Sequence, residues 1–184
     1  YAPVAHLAYI GRKPGAPTRD SDAWFTPAVY IESVKAALGE IDLDPFSSER
    51  ANQTVGAKQF FSIEHSAFEH EWNVQTNCRV FMNPPYSAGL CSRAIARFVQ
   101  QWEAGNFTEG IVLINNATDT KWFKALAEKS TSLCFTDHRI SFWNADKKNI
   151  SGNTRGQVFA YFGKNKEGFK KAFQQHGLIM AVQV

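Results

Sequence analysis

The residues of this chain best suited to chemistry are Asn83-Pro84-Pro85-Tyr86. They follow the short β-prone run Cys78-Arg79-Val80-Phe81-Met82 and precede a segment with helical periodicity. Each proline fixes its own φ and lacks an N–H, and Pro85 pushes Pro84 out of the helical region. The result is a stiff, extended tetrapeptide with bare carbonyls. It presents two acceptors, the Asn83 side-chain oxygen and the Pro84 carbonyl, beside the Tyr86 ring. Two acceptors and a π-face suit a flat ring that carries an exocyclic –NH2. Such an amine is a poor nucleophile, because its lone pair is delocalised into the ring. Accepting both hydrogens pulls the nitrogen toward tetrahedral geometry, and fixed acceptor dipoles stabilise the positive charge that develops on attack. No strong base is needed, since the alkylated ammonium is acidic. A rigid strand-to-helix turn is the purely structural alternative, but a plain turn has no need of the Asn, both prolines and the Tyr together.

Four further groups of residues stand in a fixed order around this tetrapeptide. Trp24-Phe25-Thr26-Pro27 precedes it, as does Asp42-Leu43-Asp44-Pro45-Phe46-Ser47-Ser48. Ala117-Thr118-Asp119-Thr120-Lys121-Trp122-Phe123 and Arg139-Ile140-Ser141-Phe142 follow it. The ordered set resembles the phage-type DNA N6-adenine methyltransferases, amino-methyltransferases that use S-adenosylmethionine, and it covers most of residues 20–163. The resemblance implies an α/β, Rossmann-like class I methyltransferase fold, in which a mostly parallel sheet carries helices on both faces and an antiparallel edge strand. It also implies catalysis by Asn83, Pro84, Pro85 and Tyr86. Cofactor contacts fall to Trp24, Thr26, Pro27, Asp44, Pro45, Phe46 and Ser47, with Glu64 and Phe68 around the cofactor adenine. The implied partner is double-stranded DNA with a flipped-out target base. The implied setting is the cytoplasm of a bacterium or phage-infected cell, as in restriction-modification.

One departure separates the chain from related enzymes. The acidic–Pro motif usually leads into a glycine-rich loop, yet here no glycine follows Asp44 until Gly56. Asp44-Pro45 therefore corresponds either to the cofactor-loop motif or to the next acidic position, and a capped structural carboxylate is a third reading. Within the same chemistry, cytosine N4 and protein glutamine are alternative acceptors. The missing glycines also motivate a different class, a degenerate DNA-binding module that keeps the tetrapeptide without the cofactor.

The elements that must position these groups read as alternating helices and strands. Thr26 is an N-cap with Pro27 at the first helical position. Tyr30, Val34 and Ala37/Leu38 form its apolar stripe, and Gly39 closes the helix. Its N-terminal N–H groups suit the cofactor's methionine carboxylate. Ile41 to Asp44 alternates as a strand that ends at Pro45. Residues 47–57 read as loop with at most a short turn of helix, and residues 58–63 as a second strand. Arg79–Met82 delivers the tetrapeptide. Ile95, Phe98, Val99 and Trp102 mark a helix, 110–115 is a buried parallel-type strand, and Thr118 or Thr120 caps the next helix. Strands follow at 132–135, 139–143 and 157–162. A helix around Phe169 and Phe173 ends at Gly177, and 178–184 is the last strand. Such alternation implies a sheet covered on both faces, whose ligands bind at the carboxyl ends of strands.

Composition sets outer bounds. The 184 residues fit one domain at 21–184 behind a flexible arm at 1–20, the arm being rich in Pro and Gly with Arg12 and Lys13. Hydrophobic residues make up 44%, enough for a real core and too many for a disordered chain. The net charge of +3 is compatible with a nucleic-acid partner without identifying one. Three scattered cysteines form neither a disulfide framework nor a zinc motif. His65 and His70 have the wrong spacing for two ligands on one helix face, so no metal is expected. No apolar run is long enough to span a membrane.

A chain of this length has no room for a separate target-recognition domain, so DNA must be read by loops on the same sheet edge as Asn83. The segment from Trp143 to Gln157 is the candidate. Lys147 and Lys148 suit phosphates, Arg155 a phosphate or guanine, and Asn149 and Asn153 an adenine edge, with Arg139 at its approach. A solvated hairpin loop is the alternative.

Overall fold

The computed structural model describes residues 24–62, 66–86, 89–143 and 153–183. Its centre is β4 (Glu109–Asn115), whose run Ile111-Val112-Leu113-Ile114 is buried on both faces. Ile111 and Leu113 point into one core cluster, Val112 and Ile114 into the other, as strand alternation requires. Beside it lies β3 (Arg79–Met82), parallel and in register from Arg79↔Glu109 to Met82↔Val112. Two short parallel strands, β1 (Leu43–Asp44) and β2 (Gln59–Phe60), complete that side.

The other side is antiparallel. β5 (Ser132–Thr136), β6 (Gln157–Phe162) and β7 (Gly177–Ala181) give a seven-stranded order β2-β1-β3-β4-β6-β5-β7. β6 inserts antiparallel between β4 and β5, and β7 pairs antiparallel with β5 at the edge. The expected antiparallel edge strand is therefore one of two reversed strands, and the other is interior. The mixed α/β sheet is parallel from β2 to β4, the half that carries Asp44 and Asn83.

Helices cover both faces. α1 (Ala28–Leu38) and α5 (Lys166–Phe173) place Ile31, Val34, Phe169 and Phe173 against Phe159 and Tyr161. α3 (Leu90–Glu103) and α4 (Lys121–Lys129) place Ile95, Phe98, Phe123 and Leu126 against Met82, Val158 and Phe162. Thr120 is the cap of α4, its Oγ1 accepting from the Phe123 N–H at 3.2 Å. The segment 49–55, expected as loop with at most a short turn of helix, is a seven-residue helix, α2 (Glu49–Val55). Ser48 Oγ accepts from Ala51 N–H at 3.1 Å, and Gly56 takes the left-handed C-cap.

Other expectations are corrected at element ends. Pro27, not Thr26, occupies the N-cap position of α1, and no side chain caps that helix. Residues 139–143 form no strand. They contribute a single antiparallel bridge, Phe25↔Trp143. Gly177 does not end a helix, since Gln174 caps α5 and Gly177 opens β7. A Cβ at Gly177 would collide with the Phe135 carbonyl, so strand pairing rather than capping requires glycine there.

The N-terminal end of β1 is pinned by charge. Asp42 is fully buried and accepts from Arg79 Nε (2.8 Å) and Arg79 N (2.9 Å), with Lys58 Nζ at 3.1 Å. Burial pushes its pKa up, but the bonds from Arg79 and Lys58 outweigh burial and hold it below the ordinary carboxylate range.

Candidate active site

β1 and β3 are neighbours in register at Leu43↔Val80, so their carboxyl ends bring Asp44 and Asn83 to the same edge of the sheet. The two prolines hold the backbone extended beyond Met82, with Pro84 buried and Pro85 half-buried. The Tyr86 hydroxyl donates to the Leu113 carbonyl of β4 at 3.0 Å. That bond anchors a half-buried ring beside the tetrapeptide. Burial pushes the phenol pKa well up, so Tyr86 stays neutral.

The Asn83 amide is held from one side. Its Nδ2 donates to Thr26 Oγ1 at 3.2 Å and, more weakly, to the Trp24 carbonyl at 3.4 Å. A backbone carbonyl only accepts, so the nitrogen must face Trp24 and the oxygen must face away. That oxygen, Oδ1, is buried and has no hydrogen-bond partner. Among the described residues the only other buried side-chain polar atom in this condition is Ser47 Oγ. An unsatisfied buried acceptor costs about 1–3 kcal/mol, and such a group in a native structure points to a role.

Ser47 belongs to the second half of the edge. Asp44 is buried, with its Oδ1 accepting from the Phe46 N–H at 3.2 Å. Ser47 lies close enough to influence the carboxyl without hydrogen-bonding geometry. Desolvation pushes the Asp44 pKa up to about 7, opposed by the Phe46 N–H and by Ser47. Pro45 is buried, and Phe46 packs edge-on to Phe68, ring centroids 5.5 Å apart. The Arg93 guanidinium lies over the Phe68 ring at 4.7 Å. Asp44, Pro45, Phe46, Ser47 and Phe68 thus form one cluster. Glu64 lies outside the described residues.

Trp24, Thr26 and Pro27 lead into α1, and the first two meet the site at Asn83. Thr26 is buried, with its hydroxyl turned to Asn83 rather than to the helix. Phe25 pairs with Trp143 through Phe25 N–H to Trp143 O (2.8 Å) and Trp143 N–H to Phe25 O (3.3 Å), ring centroids 4.6 Å apart. This pair joins the Asn83-holding stretch to the start of the expected DNA-reading segment.

Within that segment, Lys147, Lys148 and Asn149 lie outside the described residues. Arg139 and Arg155 are exposed. Asn153 is committed to structure: Nδ2 donates to Gln157 Oε1 (2.9 Å) and the Ile140 carbonyl (3.3 Å), and Oδ1 accepts from Arg155 N–H. Gln157 in turn donates to Asn115 Oδ1 at 3.0 Å. This polar chain at the same sheet edge was missed in the sequence, because it depends on the Asn115↔Gln157 register of two reversed strands. Gly156 is packed so closely on Arg139 and Asn116 that a Cβ would lie 2.7 Å from the guanidinium.

The chain matches the DNA N-6-adenine-methyltransferase (Dam) family over residues 14–177, nearly its whole length. It belongs to that family. No curated protein matches the chain at a significant level. The family's activity in general is N6 methylation of adenine in DNA, so the edge that carries Asn83 and Asp44 belongs to a methyltransferase that acts on DNA. Among the described residues no group of His, Cys, Asp or Glu is arranged to hold a metal, and no helix is long and apolar enough to cross a membrane. The Dam match begins inside the arm expected at 1–20.

Proposed function

We propose that this chain transfers a methyl group from S-adenosylmethionine to the N6 amine of an adenine flipped out of double-stranded DNA. The observation that carries the reading is the buried, unpartnered Asn83 Oδ1, held at a strand's carboxyl end beside two prolines and an anchored tyrosine. An acceptor with no protein donor suits a substrate donor. The Pro84 carbonyl supplies a second acceptor, since an amine presents two hydrogens.

The same edge fits the cofactor. The buried Asp44 carboxyl and the orphaned Ser47 hydroxyl are polar groups awaiting a polar ligand, and Phe46 with Phe68 offers aromatic surface for an adenine. Trp24, Pro27 and the uncapped N-terminus of α1 suit a carboxylate. When bound, S-adenosylmethionine supplies a methyl on a sulfonium, and the sulfur departs as a neutral thioether. The chain's own part is alignment and charge. Asn83 Oδ1 and the Pro84 carbonyl accept the two amine hydrogens, turn the lone pair toward the methyl and stabilise the positive charge on nitrogen as the N–C bond forms. The amine then sheds one proton to solvent. Tyr86 stacks on the extruded base and offsets lost stacking. Asp44 and Ser47 argue against a module without cofactor, because a degenerate site has no reason to keep a carboxyl buried at such cost.

DNA contacts fall to Arg139, Lys147, Lys148, Asn149 and Arg155, with Asn153 shaping the segment. We place the catalytic domain at 21–184 and the protein in the cytoplasm of a bacterial or phage-infected cell. The test is expression of the wild-type chain and of Asn83→Ala in a methylase-free host, followed by base-resolved sequencing of methylated DNA. N6-methyladenine with the wild type alone is expected. N4-methylcytosine would reassign the base, and no mark on DNA treated with purified protein and cofactor would remove the reading.

A further inference from the structure

An asparagine amide turns about a broad torsion and offers opposite chemistry at its two ends. Its oxygen attracts an amine N–H, while its –NH2 meets the same amine donor against donor. The use of Asn83 in methyl transfer therefore depends on which end faces the substrate. Two groups decide this, and both come from one three-residue stretch. The Trp24 carbonyl, which only accepts, lies 3.4 Å from Nδ2 and selects the nitrogen end, while Thr26 Oγ1 lies closer, at 3.2 Å, and holds that end in place.

We propose that Thr26 is a positioning residue for methyl transfer: with Trp24, it holds the Asn83 nitrogen so that Oδ1 faces the target amine. Its hydroxyl does not cap α1, which has no side-chain cap, and its burial at 4% exposure suits a fixed partner better than a solvent-facing contact. The stretch is itself braced, because Phe25 is bonded through both backbone groups to Trp143. The inference rests on the proposed function for its catalytic consequence, but the amide orientation stands apart from it.

The test compares Thr26→Val, which keeps volume and β-branching but removes the acceptor, with Thr26→Ser, which keeps the hydroxyl. In the full chain without DNA or cofactor, the side-chain amide signals of Asn83, assigned by their loss in Asn83→Gln, report on the bond directly. Thr26→Val is expected to lose exchange protection at Nδ2, and Thr26→Ser to retain it. With duplex DNA and saturating S-adenosylmethionine, Thr26→Val should slow single-turnover transfer about 10- to 100-fold, the scale of a misplaced reacting group. Its affinity for the cofactor, whose expected contacts include Thr26, should fall far less than the rate, the signature of a contact used mainly in the transition state. Thr26→Ser should restore the rate. An unchanged Asn83 amide in Thr26→Val, an unchanged rate, or a loss confined to cofactor affinity would each overturn the inference. If the wild type transfers no methyl, the proposed function falls, and the amide signals still decide whether Thr26 holds Asn83.

Discussion

Phe25 and Trp143 are bonded through both backbone groups, with ring centroids 4.6 Å apart, although the two residues lie far apart in the sequence. Phe25 lies between the two residues that hold Asn83, and Trp143 opens the expected DNA-reading segment. Trp143→Ala removes the ring contact, worth about 0.5–1.5 kcal/mol beyond its area. Its Tm should fall by a few degrees. Single-turnover methylation should fall more than cofactor affinity, since the ring packs on Phe25, the residue between the two that hold Asn83. Equal losses in both would mean that the pair only stabilises the fold.

Asn83→Ala removes an acceptor that nothing else in the site replaces. The expected cost is about 3–4 kcal/mol in the barrier, a slowing of roughly 10²- to 10³-fold in single-turnover transfer. Cofactor affinity should survive, because Asn83 is proposed to act on the amine. Stability should not suffer from the lost Oδ1, which bonds to no protein group. Single-turnover rates near wild type for the purified variant would remove Asn83 from catalysis.

Asp42 and Asp44 are two residues apart and have opposite electrostatics. Asp42 is paired and hydrogen-bonded, whereas Asp44 is buried without a cation and its carboxyl is raised to about 7. Between the ordinary carboxylate range and pH 7 the folded chain therefore holds a proton that the unfolded chain has lost. Stability falls as pH rises through that window, by roughly 4 kcal/mol at most at one pKa unit per 1.36 kcal/mol. Asp44→Asn should raise the Tm of the ligand-free protein by roughly 5 °C or more at pH 8, and far less at pH 4.5. The same variant should weaken S-adenosylmethionine binding more than DNA binding in calorimetry. An equal Tm shift at both pH values would show that the Asp44 proton is not lost in this window.

Arg79 carries the opposite expectation. Its Nε and backbone N–H both bond Asp42, and Nη2 adds Glu40 at 2.9 Å. Arg79→Met leaves the fully buried Asp42 with Lys58, itself half-exposed, as its remaining cation. Breaking a buried pair in this way costs about 3–5 kcal/mol. Denaturant melts of the variant should show that loss at neutral pH, shrinking as pH falls and Asp42 is protonated. A loss under 1 kcal/mol would mean that Lys58 suffices.

Much of this was legible in the sequence because local chemistry fixed it. Proline stereochemistry alone predicts an extended Asn83–Tyr86, and the unbroken apolar run within 110–115 predicts a strand buried on both faces. The reading failed where a tertiary partner overrode a local preference. Thr26 before Pro27 has the pattern of a cap, but Asn83 offers its hydroxyl a buried donor, so Pro27 takes the cap position. Arg139–Trp143 has strand-like residues, yet it makes a single β-bridge, to Phe25, more than 110 residues away in the sequence. α2 reads as no more than a short turn of helix because its seven residues lack an apolar stripe, and its signals are only the Ser48 cap and Gly56. The polar chain Asn115–Gln157–Asn153 depends on the register of reversed strands, which spacing does not encode.

The last prediction concerns where DNA is read. Asn153 is fully engaged, with Gln157 and the Ile140 carbonyl on its nitrogen and Arg155 N–H on its oxygen. Asn153→Ala should therefore act through the shape of the segment and lower stability, instead of relaxing sequence preference at one base. Arg155 is exposed, with its backbone fixed by that same asparagine, so its side chain projects from a defined position. Arg155→Ala should relax preference at one position of the methylated site, at a cost of about 1–3 kcal/mol in discrimination if it reads a guanine edge. Lys147 and Lys148 carry charge suited to phosphates, which report no sequence. Replacing both with Ala should weaken binding to every duplex alike and reduce the slope of log affinity against log salt by roughly 2. Titrations at several salt concentrations, on duplexes with and without the methylated site, separate these outcomes. An unchanged slope in the double variant, with methylation still at wild-type sites, would move phosphate contact elsewhere, to Arg139 or to the Arg12-Lys13 arm.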